Sequence, residues 1–200
     1  MTTYQIETKE QFTVVGLELT IKSQFNDFAG ISREKADFWQ RIEADGALAE
    51  LKSGAKDDCL YAVNEAVNNK MMYYAAVLPK NDTLRADRRI DFPSGPYLVV
   101  TGSATSQDEL AGQLTGAVFG EILPQLTSHR YVGGPNAIQI QAVGDQFKGV
   151  ALVPVVANWA ASVQSLITKH VKKRVQTKFL NRSERAFGFG EKSRVVNYCW

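Results

Sequence analysis

The chain has 200 residues and a mass of 22.1 kDa, with 44% apolar and 22% charged residues, fifteen glycines and six prolines. That length makes one large or two small domains with a sizeable packed core, and the composition excludes collagen, coiled coil and a wholly disordered chain. The net charge of +2 is unevenly placed, −5 over residues 1–158 and +7 over residues 159–200, an acidic body with a basic tail.

Met1–Gln11 alternates polar and apolar residues and holds Glu7, Lys9 and Glu10, so it lacks the apolar stretch of a secretory signal. The longest apolar run, Val150–Ala157, is broken by Pro154 and falls well short of the roughly 20 residues of a membrane-spanning helix. Phe12–Ile21 is rich in β-branched residues and reads as a strand, with a bend expected at Gly16. From Ser32, read as an N-cap, Ala36, Trp39, Ile42 and Glu43 follow a 3.6-residue period and predict a helix to about Ala44, with a second helical stretch over Ala47–Leu51. Leu60–Val63 and Met71–Leu78 read as antiparallel strands joined by the polar connector Asn64–Lys70. After a proline-bounded linker, Pro79–Pro96, the order repeats: strand Tyr97–Thr101, helix Gln107–Leu123 opened by a capping box of Ser106 and Glu109, then strands Ala137–Gln141 and Val150–Val156. The two strand-helix-strand-strand units, offset by about 85 residues, predict an internal duplication. Beyond Asn158, Trp159, Val163, Leu166, Ile167, His170 and Val171 stripe one side of a helix ending in Lys and Arg, and residues 176–200 show no period and are expected to be poorly ordered.

Little of the chemistry-bearing content points to catalysis. His129 and His170 lie in different segments without ligands at helical spacing, so no metal site is expected. Cys59 and Cys199 are too few for a disulfide framework and read as free thiols of a reducing cytosol. The stretch Gly188–Ser193 lacks the glycine spacing and leading strand of a phosphate-binding loop. The aromatics are more informative, because a phenol beside Met and Trp offers the apolar wall and polar tip of a small-molecule cleft.

Four pieces in order carry a resemblance: the aromatic pair Phe38-Trp39 in the first helix, the pair Tyr73-Tyr74 within Cys59–Val77, the turn Pro93-Ser94-Gly95-Pro96-Tyr97 into the next strand, and the closing Pro154-Val155. Over residues 4 to 157 the chain resembles the GyrI-like small-molecule-binding domain, the effector-binding part of bacterial regulators related to Rob and to multidrug-sensing MerR-type activators. The resemblance implies an α+β fold in which duplicated units pair antiparallel sheets around a central groove for hydrophobic, often cationic, aromatic compounds. Some members hydrolyse cyclopropane-bearing alkylating compounds, and many carry a glutamate on the strand after the second helix. Here that strand reads Ala137-Ile138-Gln139-Ile140-Gln141, without an acid, and a neutral amide neither attracts a cation strongly nor serves as a general base.

The resulting expectation is a cytoplasmic, standalone GyrI-like domain over residues 1–158, without a DNA-reading module, followed by a basic helix and tail over 159–200. Its ligand-binding residues are expected to be Trp39, Tyr61, Tyr74, Tyr97, Phe119 and Gln139, with no cofactor and no specific nucleic acid, and with at most a weak contact to anionic surfaces through the tail. The alternatives are a hydrolase using Glu65 or Glu121 as base, and a gyrase-inhibiting interaction protein.

Overall fold

The computed structural model describes residues 3–158 apart from 83 and 85. The chain divides into two units, Met1–Ala157 and Asn158–Trp200, and the architecture below is that of the first. The expected helix and poorly ordered tail after Asn158 lie outside the described residues.

The strands β1 (Tyr4–Lys9), β2 (Phe12–Thr20), β3 (Leu60–Val67), β4 (Lys70–Val77), β5 (Arg88–Phe92), β6 (Gly95–Ala104), β8 (Asn136–Val143) and β9 (Gln146–Pro154) form one antiparallel sheet in the order β1-β6-β9-β8-β3-β4-β2-β5. A two-stranded ribbon pairs β7 (His129–Arg130) with β10 (Val156–Ala157). The helices are α1 (Phe28–Ala44), α2 (Ala47–Ser53) and α3 (Gln107–Thr115), the last running through a π-helical stretch at Gly116–Ile122 into a final turn, Leu123–Gln125.

The duplication is visible in the strand register. A shift of 76 residues carries the pair Tyr61↔Ala76 of β3–β4 onto Ala137↔Leu152 of β8–β9. A shift of 83 carries Phe12 of β2 onto Gly95 of β6 and exchanges the edge partners, Phe92 of β5 for Lys9 of β1. The pseudo-twofold axis therefore passes between Ala62 and Ile138, paired on the central strands β3 and β8. Each unit also lends its first strand to the other: β1 pairs with β6, and β5 with β2.

Both sheet faces are apolar, as strands covered on two sides require. On one face the helices seat Phe38 and Ile42 of α1, Leu51 of α2, and Leu110 and Leu114 of α3 against Leu60, Ala75, Leu98, Val100, Ile140 and Val153. Gly102 and Gly149 are a cross-strand pair beneath α3, and a Cβ on either would approach Leu110 or Leu114 to 3.1 or 2.8 Å, so their bareness lets the helix sit close. On the other face Val14, Tyr61, Val63, Tyr74, Ala76, Phe92, Tyr97 and Val99 form a second buried cluster.

Several boundaries differ from the sequence expectation. Helix α1 starts five residues earlier, because Asp27 and not Ser32 caps it: Asp27 Oδ1 accepts the Gly30 N–H at 2.9 Å. The expected connector Asn64–Lys70 is mostly strand, closed by a tight turn in which Asn68 and Asn69 adopt φ of 50° and 61°, the left-handed conformation that asparagine tolerates in hairpins. The linker Pro79–Pro96 contains β5, and the N-terminal alternation is β1. Ser106 caps α3 as expected, its Oγ accepting the Glu109 N–H at 3.2 Å, while the Glu109 carboxylate turns to Thr105. The helix then widens: Leu123 N–H bonds back to Val118, five residues earlier, just before Pro124, which has no N–H to donate.

Gly16 marks a close approach of neighbouring backbones. It pairs with Ala76 on one side and Arg88 on the other, and an added Cβ would stand 2.8 Å from both the Ala75 carbonyl oxygen and Ala76 Cβ. Gly16→Ala is expected to destabilise the fold by about 1–3 kcal/mol, read as a lower urea midpoint at unchanged m-value.

Candidate functional site

The face opposite the helices is concave. Phe12 lies on β2 and Tyr97 on β6, five strands apart in the sheet order, yet their ring centroids are 6.5 Å apart, where a flat sheet would separate the strands by about 24 Å. Phe12 also stacks on Phe92 at 4.6 Å and lies 6.5 Å from Tyr61. Strand alternation fixes what this face presents: the row Thr101, Val150, Gln139, Tyr61, Ala76, Gly16 shares one side through successive cross-strand pairs.

Three of the expected ligand residues, Tyr61, Tyr74 and Tyr97, belong to this cluster, and each is at most 3% exposed. Tyr97 donates to the Pro93 carbonyl at 2.7 Å, which ties the turn into β6 to the concave face. Tyr74 donates to Glu65 Oε2 at 3.4 Å. Tyr61 makes no hydrogen bond among the described residues and lines an open cavity. Burial pushes the phenols of Tyr74 and Tyr97 up to about 12, the former helped by the negative charge of Glu65, and pushes Tyr61 up further. All three are neutral donors at physiological pH.

That cavity, of about 430 Å³, is walled by Phe12, Tyr61, Leu78, Val99, Val150 and Leu152. Its polar groups are Glu7 and Lys9 of β1, Thr101 of β6 and Gln139 of β8. Gln139 therefore joins Tyr61 as expected. The Glu7 carboxylate is ion-paired with Lys9 and accepts from Gln5 Nε2 at 2.6 Å. Glu65, named from the sequence as a candidate base, lies further along the same face. Its carboxylate accepts from Arg88 at 3.2 and 3.4 Å as well as from Tyr74. Each of these concave-face carboxylates thus has its own cation.

The remaining expected residues are elsewhere. Trp39 is on α1, on the helix side of the sheet, where its Nε1 donates to the Tyr73 hydroxyl at 2.9 Å and its ring meets Phe38. Phe119 is 40% exposed in the π-helical stretch, edge-on to Tyr131, and the neighbouring Glu121 is exposed. The structure does not bring these three to the tyrosine cluster. Sequence reasoning missed Glu7, Lys9 and Phe12. The available signal was the polar-apolar alternation of the first eleven residues, which fits a strand as well as it excludes a secretory signal.

Among the described residues no group of three or more His, Cys, Asp or Glu is placed to hold a metal ion, and no helix is long and apolar enough to cross a membrane. Cys59 is a free thiol, and burial raises its pKa.

The curled eight-stranded antiparallel sheet with helices on its convex side and a tyrosine-lined concave face is that of a GyrI-like effector-binding domain. Similar solved structures are that of SAV2435 bound to tetraphenylphosphonium (TM-score 0.65, 20% identity, covering 77% of this chain and 94% of that one) and a Staphylococcus aureus protein described as a bacterial transcription regulation protein (0.60, 19%, 76% and 97%). An integron cassette protein from the mobile metagenome of Vibrio cholerae is a third (0.54, 11%, 76% and 95%). No curated protein sequence matches the chain. The model of the integron-associated effector binding protein family matches residues 5–149, and the chain belongs to that family. It is, in that coarse sense, a small-molecule-binding protein.

One titration follows from the helix side of the sheet. Lys35 of α1 donates to Asn64 Oδ1 at 2.8 Å and lies 4.4 Å over the Tyr73 ring, and burial lowers its pKa to about 8. Between about pH 8 and 10 the unfolded chain still holds a proton that the native Lys35 releases, so stability rises with pH. Above about pH 10 the sign reverses, because unfolded tyrosines ionise while native Tyr61, Tyr73, Tyr74 and Tyr97 stay protonated. Urea unfolding at pH 8 and 10 is expected to show the wild type gaining about 1–2 kcal/mol relative to Lys35→Met.

Proposed function

We propose that the chain binds hydrophobic aromatic small molecules in the concave-face cavity bounded by Phe12, Tyr61 and Gln139, as a cytoplasmic sensing or sequestering domain formed by residues 1–158. The observation that carries this reading is the cavity itself: about 430 Å³, apolar on its walls, with a few polar tips and one phenol free to donate. A volume of that order suits a drug-sized ligand. The bound ligand of SAV2435, a bulky aromatic cation, is of the kind such walls accommodate.

The charge pattern refines the ligand class. Glu7 is offset by Lys9 and Glu65 by Arg88, so the cavity offers a cation little more than ring faces and polar tips. Cation-π contacts contribute about 0.5–2 kcal/mol, which supports a mild preference for cations over neutral ligands of the same shape. The hydrolase reading is weaker, since Glu65 already accepts from Arg88 and Tyr74 and Glu121 is exposed on the other side of the sheet. No observation favours gyrase inhibition.

Calorimetric titration with tetraphenylphosphonium and with neutral triphenylphosphine oxide tests the reading. Both are expected to bind, the cation by no more than about tenfold better. Tyr61→Ala is expected to weaken both by about tenfold. Gln139→Glu is expected to raise the preference for the cation by about tenfold, because it adds a carboxylate without a partner cation. Unchanged affinity in the Tyr61→Ala protein would place the ligand elsewhere and refute the assignment.

A further inference from the structure

A second cavity, also of about 430 Å³, opens on the opposite side of the sheet, between α1, α2 and the start of α3. Its floor is apolar, made by Leu48, Leu60, Ile140 and Phe147, and Trp39 forms part of its wall. Leu60 and Ile140 are a cross-strand pair, and the next pair along the same two strands is Tyr61 with Gln139, which line the concave-face cavity. The two cavities therefore stand back to back on β3 and β8, separated by the thickness of the sheet.

The rim of this cavity is acidic. Glu43 of α1, Asp58 of the loop before β3 and Asp108 of α3 are all exposed, and Lys52 is the one cation among the lining residues. None of the three carboxylates takes part in an ion pair among the described residues. This differs from the concave-face cavity, whose one lining carboxylate, Glu7, is ion-paired with Lys9. The indole of Trp39 is fixed in place, since its N–H is committed to the Tyr73 hydroxyl, and Tyr73 is 4% exposed.

We propose that this helix-side cavity is a second ligand site, taking a small aromatic amine whose ring lies on the apolar floor beside Trp39 and whose ammonium is held by the Glu43, Asp58 and Asp108 rim. The ring gains by leaving water, at about 25 cal/mol per Å² of apolar surface. The ammonium gains from three carboxylates opposed by a single lysine, and it remains close enough to solvent to avoid the cost of burying a charge. An anion is repelled by the same rim. A neutral ring of the same size keeps the floor contacts and lacks the electrostatic attraction. The site does not depend on occupancy of the concave face.

The test uses the full chain with Trp159→Phe and Trp200→Phe, so that Trp39 is the only tryptophan, and 2-phenylethylamine as the probe with 2-phenylethanol as its neutral counterpart. The amine is expected to change Trp39 emission saturably and to shift the amide resonances of Leu60 and Ile140, with an affinity about tenfold above that of the alcohol. The combined Glu43→Gln, Asp58→Asn and Asp108→Asn variant, whose changes are confined to exposed side chains, is expected to keep its Tm and to lose that tenfold difference. Glu7→Gln, in the concave-face cavity, is expected to leave the amine's affinity unchanged. Equal affinity for amine and alcohol in the parent protein would overturn the proposal, as would amine binding that survives the triple change. Loss of amine binding in Glu7→Gln would move the amine to the concave face, overturning this site while leaving the concave-face reading intact.

Discussion

Two short connections govern the whole fold. Between Lys9 and Phe12 only Glu10 and Gln11 intervene, yet β1 and β2 stand six places apart in the sheet. A flat sheet would set them about 29 Å apart, and three residue steps span at most about 11 Å. The same holds for Pro93 and Ser94 between β5 and β6. The sheet can satisfy both links only by curling until its two edges meet at one end. The meeting of Phe12, Phe92 and Tyr97 is the product, and the concave cavity is the space the curl leaves behind.

The same constraint separates what was readable in the sequence from what was not. The repeated order of strand, helix, strand and strand was legible because central strands, buried on two sides, carry long apolar runs such as Met71–Leu78, and because the helices have apolar stripes and, for α3, a cap at Ser106. The exchanged edge strands β1 and β5 were not legible. Paired on one side only, they carry charge: Arg88, Arg89 and Asp91 made β5 read as linker, and Glu7 and Lys9 made the alternation of β1 read only as the lack of a secretory signal. Nothing local to either segment announces that its partner lies in the other half of the chain.

The site shows a similar division. Strand periodicity says that Tyr73 and Tyr74 point to opposite faces; it does not say which face is hollow. Tyr61, Tyr74, Tyr97 and Gln139 share the concave side, whereas Trp39, singled out for its chemistry, stands on a helix and therefore behind the sheet. Glu7 and Lys9 enter the cavity only through the strand exchange, so their role depends on a pairing across 86 or more residues. They also explain why an acid on the concave face does not amount to a free anion: the backbone that delivers Glu7 delivers Lys9 two residues later, on the same side of the strand.

The pseudo-twofold relation has a final consequence. Positions exchanged by the axis have diverged: Tyr61 corresponds to Ala137, Tyr74 to Val150, Glu65 to Gln141, and Glu7 to Ile90. Two identical halves would let any guest settle in either of two equivalent poses related by the axis, and would treat the ends of an elongated molecule alike. With one end phenolic and charged and its counterpart aliphatic or amide, those poses differ in energy. The duplicated backbone is close to symmetric while its lining has a polarity, so an elongated guest with unlike ends has one favoured direction in the groove.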